Sequence, residues 1–187
     1  MEVSRWQRMQ TINALLDGYS SLSVAKLLES LDPDFHHQTL PESLGMPIRN
    51  REAFAKHAAG IFGVFEKFRM VPKAIIDDAI AGVVAIEAQM LGTLKGGRGE
   101  WKNECVMIVR LREDGLKVLN VREFVDSAKA IEMARTHAPE NFGCDAGDDS
   151  NAGGERVFFD LGEMGSDSWV HFGAVVVVLV GLHQILF

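Results

Sequence analysis

Between residues 101 and 127 the chain reads WKNECVMIVRLREDGLKVLNVREFVDS, and its apolar positions recur with a period of two. Trp101, Asn103, Cys105, Met107, Val109 and Leu111 share one face of an extended segment, while Lys102, Glu104, Val106, Ile108, Arg110 and Arg112 share the other. Glu113-Asp114-Gly115 predicts a tight turn, because Asp-Gly tolerates the positive φ that a short hairpin connection demands. In the second arm Leu119, Val121, Glu123 and Val125 fall on one face, with Val118, Asn120, Arg122, Phe124 and Asp126 on the other. The carboxylate of Glu123 therefore interrupts an apolar row. Burying it without a partner is costly, so the interruption demands a partner or a chemical purpose.

The period changes to that of a helix in the first third of the chain. Met9, Ile12, Leu16 and Tyr19 recur at helical spacing, and Asp17-Gly18 is expected to end that helix. A second helix is expected after Ser21–Ser23, with Val24, Leu27, Leu28 and Leu31 on its apolar stripe and Asp32-Pro33 as its stop. DFHHQTL reads as a short strand, with Phe35, His37 and Thr39 opposite His36, Gln38 and Leu40. A loop leads to Asn50, a good N-cap for a third helix with Phe54, Ala58, Ile61 and Phe65 on its core face. FRMVPKAIIDD and GVVAIEAQMLGTL read as strands, the first with a proline that belongs at an edge or a bulge. KGGRG is a turn, and Asp126-Ser127 caps a last helix ending near residue 137. Helices, a lone strand, a helix and then consecutive strands make an α+β pattern. The expected sheet is mostly antiparallel and strongly curved, with the helices packed on its inner face around a pocket.

Composition narrows the function classes. Residues 1–137 carry 18 basic and 18 acidic side chains, whereas residues 138–187 carry Arg156 against eight carboxylates, so all of the net charge of −7 lies in the last part of the chain. A neutral main domain has no basic face for nucleic acid. Cys105 and Cys144 have neither metal-ligand nor redox spacing, which suits a reducing, cytoplasmic setting. The first ten residues contain no apolar run of signal-peptide length. No G-x-S-x-G, H-E-x-x-H, P-loop or dinucleotide fingerprint is present.

HHQTLPESL, FEKF, WKNECVMIVRL and REFVDS, in that order and spacing, resemble the SnoaL-like proteins of fungi, members of the NTF2-like superfamily. The resemblance covers roughly residues 5–137. It implies a cone-shaped α+β fold, frequently a homodimer through the sheet, with a deep apolar pocket for a small hydrophobic substrate and neither metal nor cofactor. It implies secondary metabolism, with polyketide or terpenoid intermediates as substrates. It leaves the reaction open, since related proteins include isomerases, cyclases, dehydratases, hydrolases and modules that only bind or dimerise.

The candidate chemistry rests on the polar residues that reach such a pocket. Adjacent histidines in a strand point to opposite faces, and His37 shares its face with Phe35, which makes His37 the inward one. An imidazole can give or take a proton near neutral pH; the alternative is a core histidine bonded to a backbone carbonyl. Glu123 is the candidate carboxylate, with an ion pair to Arg110 or Arg122 at a dimer interface as its alternative. Glu104 joins the candidate catalytic set only if a bulge turns it inward; the resemblance makes Asn103-Glu104 a recurring pair. Phe35, Asn103 and Tyr19 are expected to line the pocket, and His57 sits either at its mouth or on the surface. Because Tyr19 is the only tyrosine, a tyrosine-rich oxyanion site is excluded. The expected function is acid/base proton transfer next to a carbonyl, giving isomerisation, cyclisation or loss of water. A non-catalytic binding or dimerisation module is the alternative.

Residues 138–168, rich in Gly, Asp and Ser, read as a flexible acidic linker. Residues 169–187 contain no Lys, Arg, Asp or Glu and as a helix would be about 28 Å long, near the ~30 Å of a bilayer core. Three readings of that segment stand side by side: a membrane anchor with Trp169 at the interface, a dispensable extension or translated intron, and a packed strand or helix. His171, His183 and Gln184 weigh against the anchor.

Overall fold

The computed structural model describes residues 3–137. The segments read as an acidic linker (138–168) and as an anchor or extension (169–187) lie outside the described residues. Among the described residues no helix is long and apolar enough to cross a membrane.

Ser4 caps the first helix, α1 (Arg5–Ser20), its side chain accepting the Gln7 N–H at 3.2 Å. The helix runs past Asp17-Gly18, where the sequence pattern predicts its end. Gly18 serves packing here: a Cβ on it would stand 2.8 Å from the Leu27 Cα, so its absence lets α2 (Val24–Glu29) close on α1. The second helix is shorter than its stripe suggests, because Leu31 opens β1 (Leu31–Leu40). Pro33 lies inside that strand, within a break in the β1 ladder between Leu31 and His36, where a missing N–H disturbs no pairing.

A two-residue strand, β2 (Arg49–Asn50), leads into α3 (Arg51–Val64). Asn50 is its N-cap and accepts the Ala53 N–H at 2.9 Å. Phe65 leaves the expected helical stripe and opens β3 (Phe65–Asp78). Its ring lies on Gly92, where a Cβ would meet the ring at 2.4 Å. The remaining elements are β4 (Val83–Leu94), β5 (Glu100–Leu111), β6 (Val118–Val125) and α4 (Ser127–Thr136), the last capped by Asp126.

The strands form an open, curved sheet in the order β2-β1-β6-β5-β4-β3. All neighbouring pairs are antiparallel except β1 with β6, which run parallel. The sheet is therefore mixed. Pro72 satisfies both conditions read from the sequence, since β3 is an edge strand and its register shifts between Pro72 and Ala74. The inner face carries Phe35, Val84, Ile86, Met107, Val109 and Val121, all at 0 % exposure, against Ile12 and Leu15 of α1 and Phe54 of α3.

Polar contacts fix α1 to the sheet. Gln7 Nε2 donates to the Asp114 carbonyl at 2.9 Å and Thr11 Oγ1 to the Gly115 carbonyl at 2.6 Å, so the helix holds the β5–β6 turn. Arg8 forms a two-pronged pair with Asp77 of β3, at 2.9 and 2.7 Å, with both side chains nearly buried. Arg8 hydrogen bonding and charge, aided by Arg5, hold the Asp77 carboxyl below its usual range against the opposing effect of burial. A depressed carboxyl contributes stability above the unfolded-state pKa and loses it as pH falls through the folded one. Asp77→Asn is expected to lower stability at pH 7 by about 3 kcal/mol, since it removes the carboxylate that the nearly buried Arg8 guanidinium pairs with. Urea unfolding should also show the difference between variant and wild type shrinking below about pH 4; a constant difference would contradict the pair's role.

Candidate active site

The parallel register of β1 and β6 builds the polar centre. His37 is aligned with Val121 and Thr39 with Glu123, so His37 and Glu123 are diagonal neighbours on the inner face. His37 Nε2 lies 3.3 Å from Glu123 Oε2, with side-chain exposures of 2 % and 12 %. The imidazole is packed against Phe54, ring centroids 4.7 Å apart, which restrains its orientation. His37 Nδ1 is buried and has no hydrogen-bond partner among the described residues.

On the other side of Glu123, β5 is paired so that Met107 stands opposite the carboxylate and Cys105 diagonal to it. The Cys105 thiol is buried, and burial, then the charge of Glu123 and hydrogen bonding toward that side chain, push the thiol pKa well up. Tyr19 reaches the same region from α1. Its hydroxyl is buried without a partner among the described residues, and burial, then the charge of Glu123, push its pKa well above the usual value. The phenol is thus a neutral hydrogen-bond donor.

These groups border a cavity of about 80 Å³. His37, Glu123 and Tyr19 form its polar end, with His57 from α3 beside them. Phe54, Ala58, Ile61 and Phe62 of α3 make one apolar wall, and Phe68 and Met70 of β3 with Met90 of β4 make the other. The His37 and His57 rings stack with centroids 6.5 Å apart. Burial, the Arg49 guanidinium and His37 together pull the His57 pKa down to about 3, so a neutral imidazole stands there across the neutral range.

The structure brings together His37, Glu123, Tyr19 and His57 of the residues singled out in the sequence. Phe35 is fully buried but lies behind the wall, its ring 5.1 Å from Phe54. Asn103 is buried too, yet its Oδ1 accepts the Glu104 N–H at 2.7 Å and it does not line the cavity. Glu104 needs correction: it is exposed on the outer face with Arg110 and Arg122. The bulge that would have turned it inward does not form, because β4 and β5 pair without a register shift from Val83 to Thr93. The same alternation removes Arg110 and Arg122 as partners for Glu123, whose partner is His37.

Sequence reasoning missed the Cys105–Glu123 contact, Arg49 beside His57, and the two methionines. Alternation placed Cys105 and Glu123 on inward rows, but hairpin register across a six-residue connection with a shift near Arg110 was needed to make them neighbours. Arg49 sits in a segment with no periodicity, yet it is 0 % exposed. Among the described residues no three His, Cys, Asp or Glu side chains are grouped to hold a metal ion.

A curved mixed sheet folded over helices, with a carboxylate–imidazole pair beside an apolar cavity, defines an α+β fold with a candidate small-molecule site. The SnoaL-like domain family matches over residues 12–119, and the chain belongs to that family. It is 25 % identical over 118 residues to the monooxygenase dmxR10 of a Cryptosporiopsis species, covering 63 % of this chain and 79 % of that protein. Its fold is that of AusH from Aspergillus nidulans, with a TM-score of 0.63 and 23 % identity over 67 % of this chain and 87 % of that one. It is also that of the BvnE pinacolase from Penicillium brevicompactum, with a TM-score of 0.66 and 17 % identity over 70 % and 90 %. At these identities the structural likeness establishes the fold.

The depressed His57 pKa has a consequence for stability. In an unfolded chain an imidazole titrates near pH 6.5, and in the fold His57 does so near 3. Between those values only the unfolded state takes up the proton, so the His57 contribution is whole above about pH 6.5 and is lost as pH falls toward 3. The slope from this one group approaches ~1.4 kcal/mol per pH unit. Urea midpoints measured from pH 7 to 4.5 should fall in the wild type and fall less steeply in His57→Gln; parallel curves would mean that His57 is protonated in the fold.

Proposed function

We propose that the chain is an enzyme that moves a proton next to a carbonyl of a hydrophobic secondary-metabolite intermediate, giving isomerisation, cyclisation or loss of water without a cofactor. The observation that carries this reading is the 3.3 Å contact between His37 Nε2 and Glu123 Oε2 in the lining of an apolar cavity. With the Glu123 carboxylate accepting the Nε2 proton, the neutral imidazole presents Nδ1 as a bare base. That atom takes the proton from the carbon beside the carbonyl, and Glu123 stabilises the imidazolium that results. Tyr19, a buried neutral donor with no partner among the described residues, serves the carbonyl oxygen as negative charge develops there. Return of the proton to a different atom completes an isomerisation. The bicyclic and polycyclic products of polyketide and terpenoid pathways have the apolar body this cavity favours, and the fungal relatives support that context. The outer sheet face, where Val106 and Phe124 are 42 % and 45 % exposed, is the surface through which a homodimer would close.

A second reading is favoured by the name of the dmxR10 relative, a monooxygenase. It shares the first step: removal of the proton by His37 leaves an electron-rich enolate, whose carbon adds dioxygen in place of reprotonation. The peroxide takes the proton back from His37, and the hydroperoxide loses water with the remaining hydrogen on that carbon, breaking the O–O bond to leave a new carbonyl. The readings differ in whether dioxygen is consumed.

The bicyclic ketone 2-tetralone tests the common step, since NMR in D2O follows exchange of its α-protons. The full-length chain should accelerate exchange above the buffer rate. Glu123→Gln is expected to slow the catalysed exchange about 100-fold, and His37→Phe to abolish it, at unchanged melting temperature. Wild-type exchange at the buffer rate, or full exchange in His37→Phe, would count for the non-catalytic module. Oxygen uptake that tracks exchange under air would select the oxygenase reading over the isomerase one.

A further inference from the structure

We infer that the Met70–Met90 pair is a yielding wall that sets how large an apolar ring system the cavity accepts. This rests on the reading of the cavity as the substrate site. At about 80 Å³ the space is well below the roughly 300–1,000 Å³ of sites that enclose organic molecules. One wall must therefore move for anything beyond a small ring.

The Phe54 and Phe68 rings are braced against such movement. The Phe54 ring is held among Phe35, Tyr19 and His37, at centroid distances of 5.1, 6.4 and 4.7 Å. Phe68 rests on Phe65 at 5.1 Å, and Phe65 is seated on Gly92 and against Trp101. Met70 and Met90 differ in kind. They stand directly opposite one another in the β3–β4 register, 6 % and 8 % exposed, and both line the cavity. A thioether chain with no branch at Cβ has several rotamers of similar energy and repacks around what it meets. The backbone beneath them is secured: β4 is paired on both sides, and the Met70 N–H on the edge strand donates to Ser20 Oγ of α1 at 3.1 Å. Side chains alone can give way, and they lie across the cavity from α3.

Phenol, 2-naphthol and 2-anthrol form a series that grows by one fused ring and keeps one hydroxyl. Calorimetric titration of the full-length chain should show affinity rising about tenfold with each ring, as the added apolar area is buried. In Met70→Ile/Met90→Ile, β-branching stiffens both side chains at similar volume. The variant is expected to bind phenol within about twofold of wild type and to lose the gain for the larger two. Met70→Leu/Met90→Leu, unbranched at Cβ, should recover part of it. Wild type that binds 2-naphthol and 2-anthrol no more tightly than phenol would overturn the inference, a result that needs no variant to fold. An isoleucine variant that keeps the whole series would also overturn it. No turnover is measured, so a failure of the proton-transfer reading appears in the ketone exchange and leaves this series unaffected.

Discussion

The parallel pairing of β1 with β6 is the constraint on which the rest of the molecule depends. A parallel neighbour cannot be reached through a hairpin, so the chain has to leave β1, build α3 and the β3–β5 meander, and come back. That path wraps α3 over the inner face and encloses the cavity between it and β3–β4. It also places two side chains 86 positions apart in contact. A shift of β6 by one residue would turn Glu123 outward and Phe124 inward. The apolar residues around Glu123 on its own face oppose such a slip, since Val121 is buried and aligned with His37.

A carboxylate in such surroundings is retained because its neighbours are arranged around it. The imidazole of His37 approaches one oxygen, and the buried Cys105 thiol stays neutral nearby. Tyr19 and His57 remain neutral for the same physical reason, burial, although the direction of the shift is opposite for a phenol and an imidazole. The Tyr19 phenol, the Cys105 thiol and the His57 imidazole thus border the site as neutral groups. In a low-dielectric cavity each of those dipoles acts more strongly on a reacting group than it would in water.

Much of this was legible from periodicity. The β5–β6 hairpin, the inward His37 and the caps at Asn50 and Asp126 follow from local rules, because alternation and capping depend on neighbours in sequence. What failed depended on distant partners. Gly18 looked like a helix end, but its meaning is the approach of Leu27. Phe65 fitted the stripe of α3 by spacing, yet Gly92 offers it a seat on the sheet. Glu104 was conditional on a bulge, and only the β4–β5 register decides against one. Asp77 and Asp78 end the same strand; one is sunk into a pair with Arg8, while the other is exposed and uses Oδ1 to hold the turn amides of Ile80 and Ala81. Alternation puts the two on opposite faces, but the partner that receives Asp77 lies 69 positions away on α1.

The seat of Phe65 on Gly92 also orders the changes that descendants of this sequence can make. Any side chain at position 92 meets the ring at 2.4 Å, and the ring is backed by Phe68 and Trp101, so it has little room to retreat. A larger residue at 92 becomes tolerable after Phe65 has been replaced by a smaller one. The reverse order passes through a crowded intermediate that pushes Phe68 toward the cavity. Mutational routes that remodel this end of the pocket are therefore directional, with position 65 as the first step and position 92 as the second.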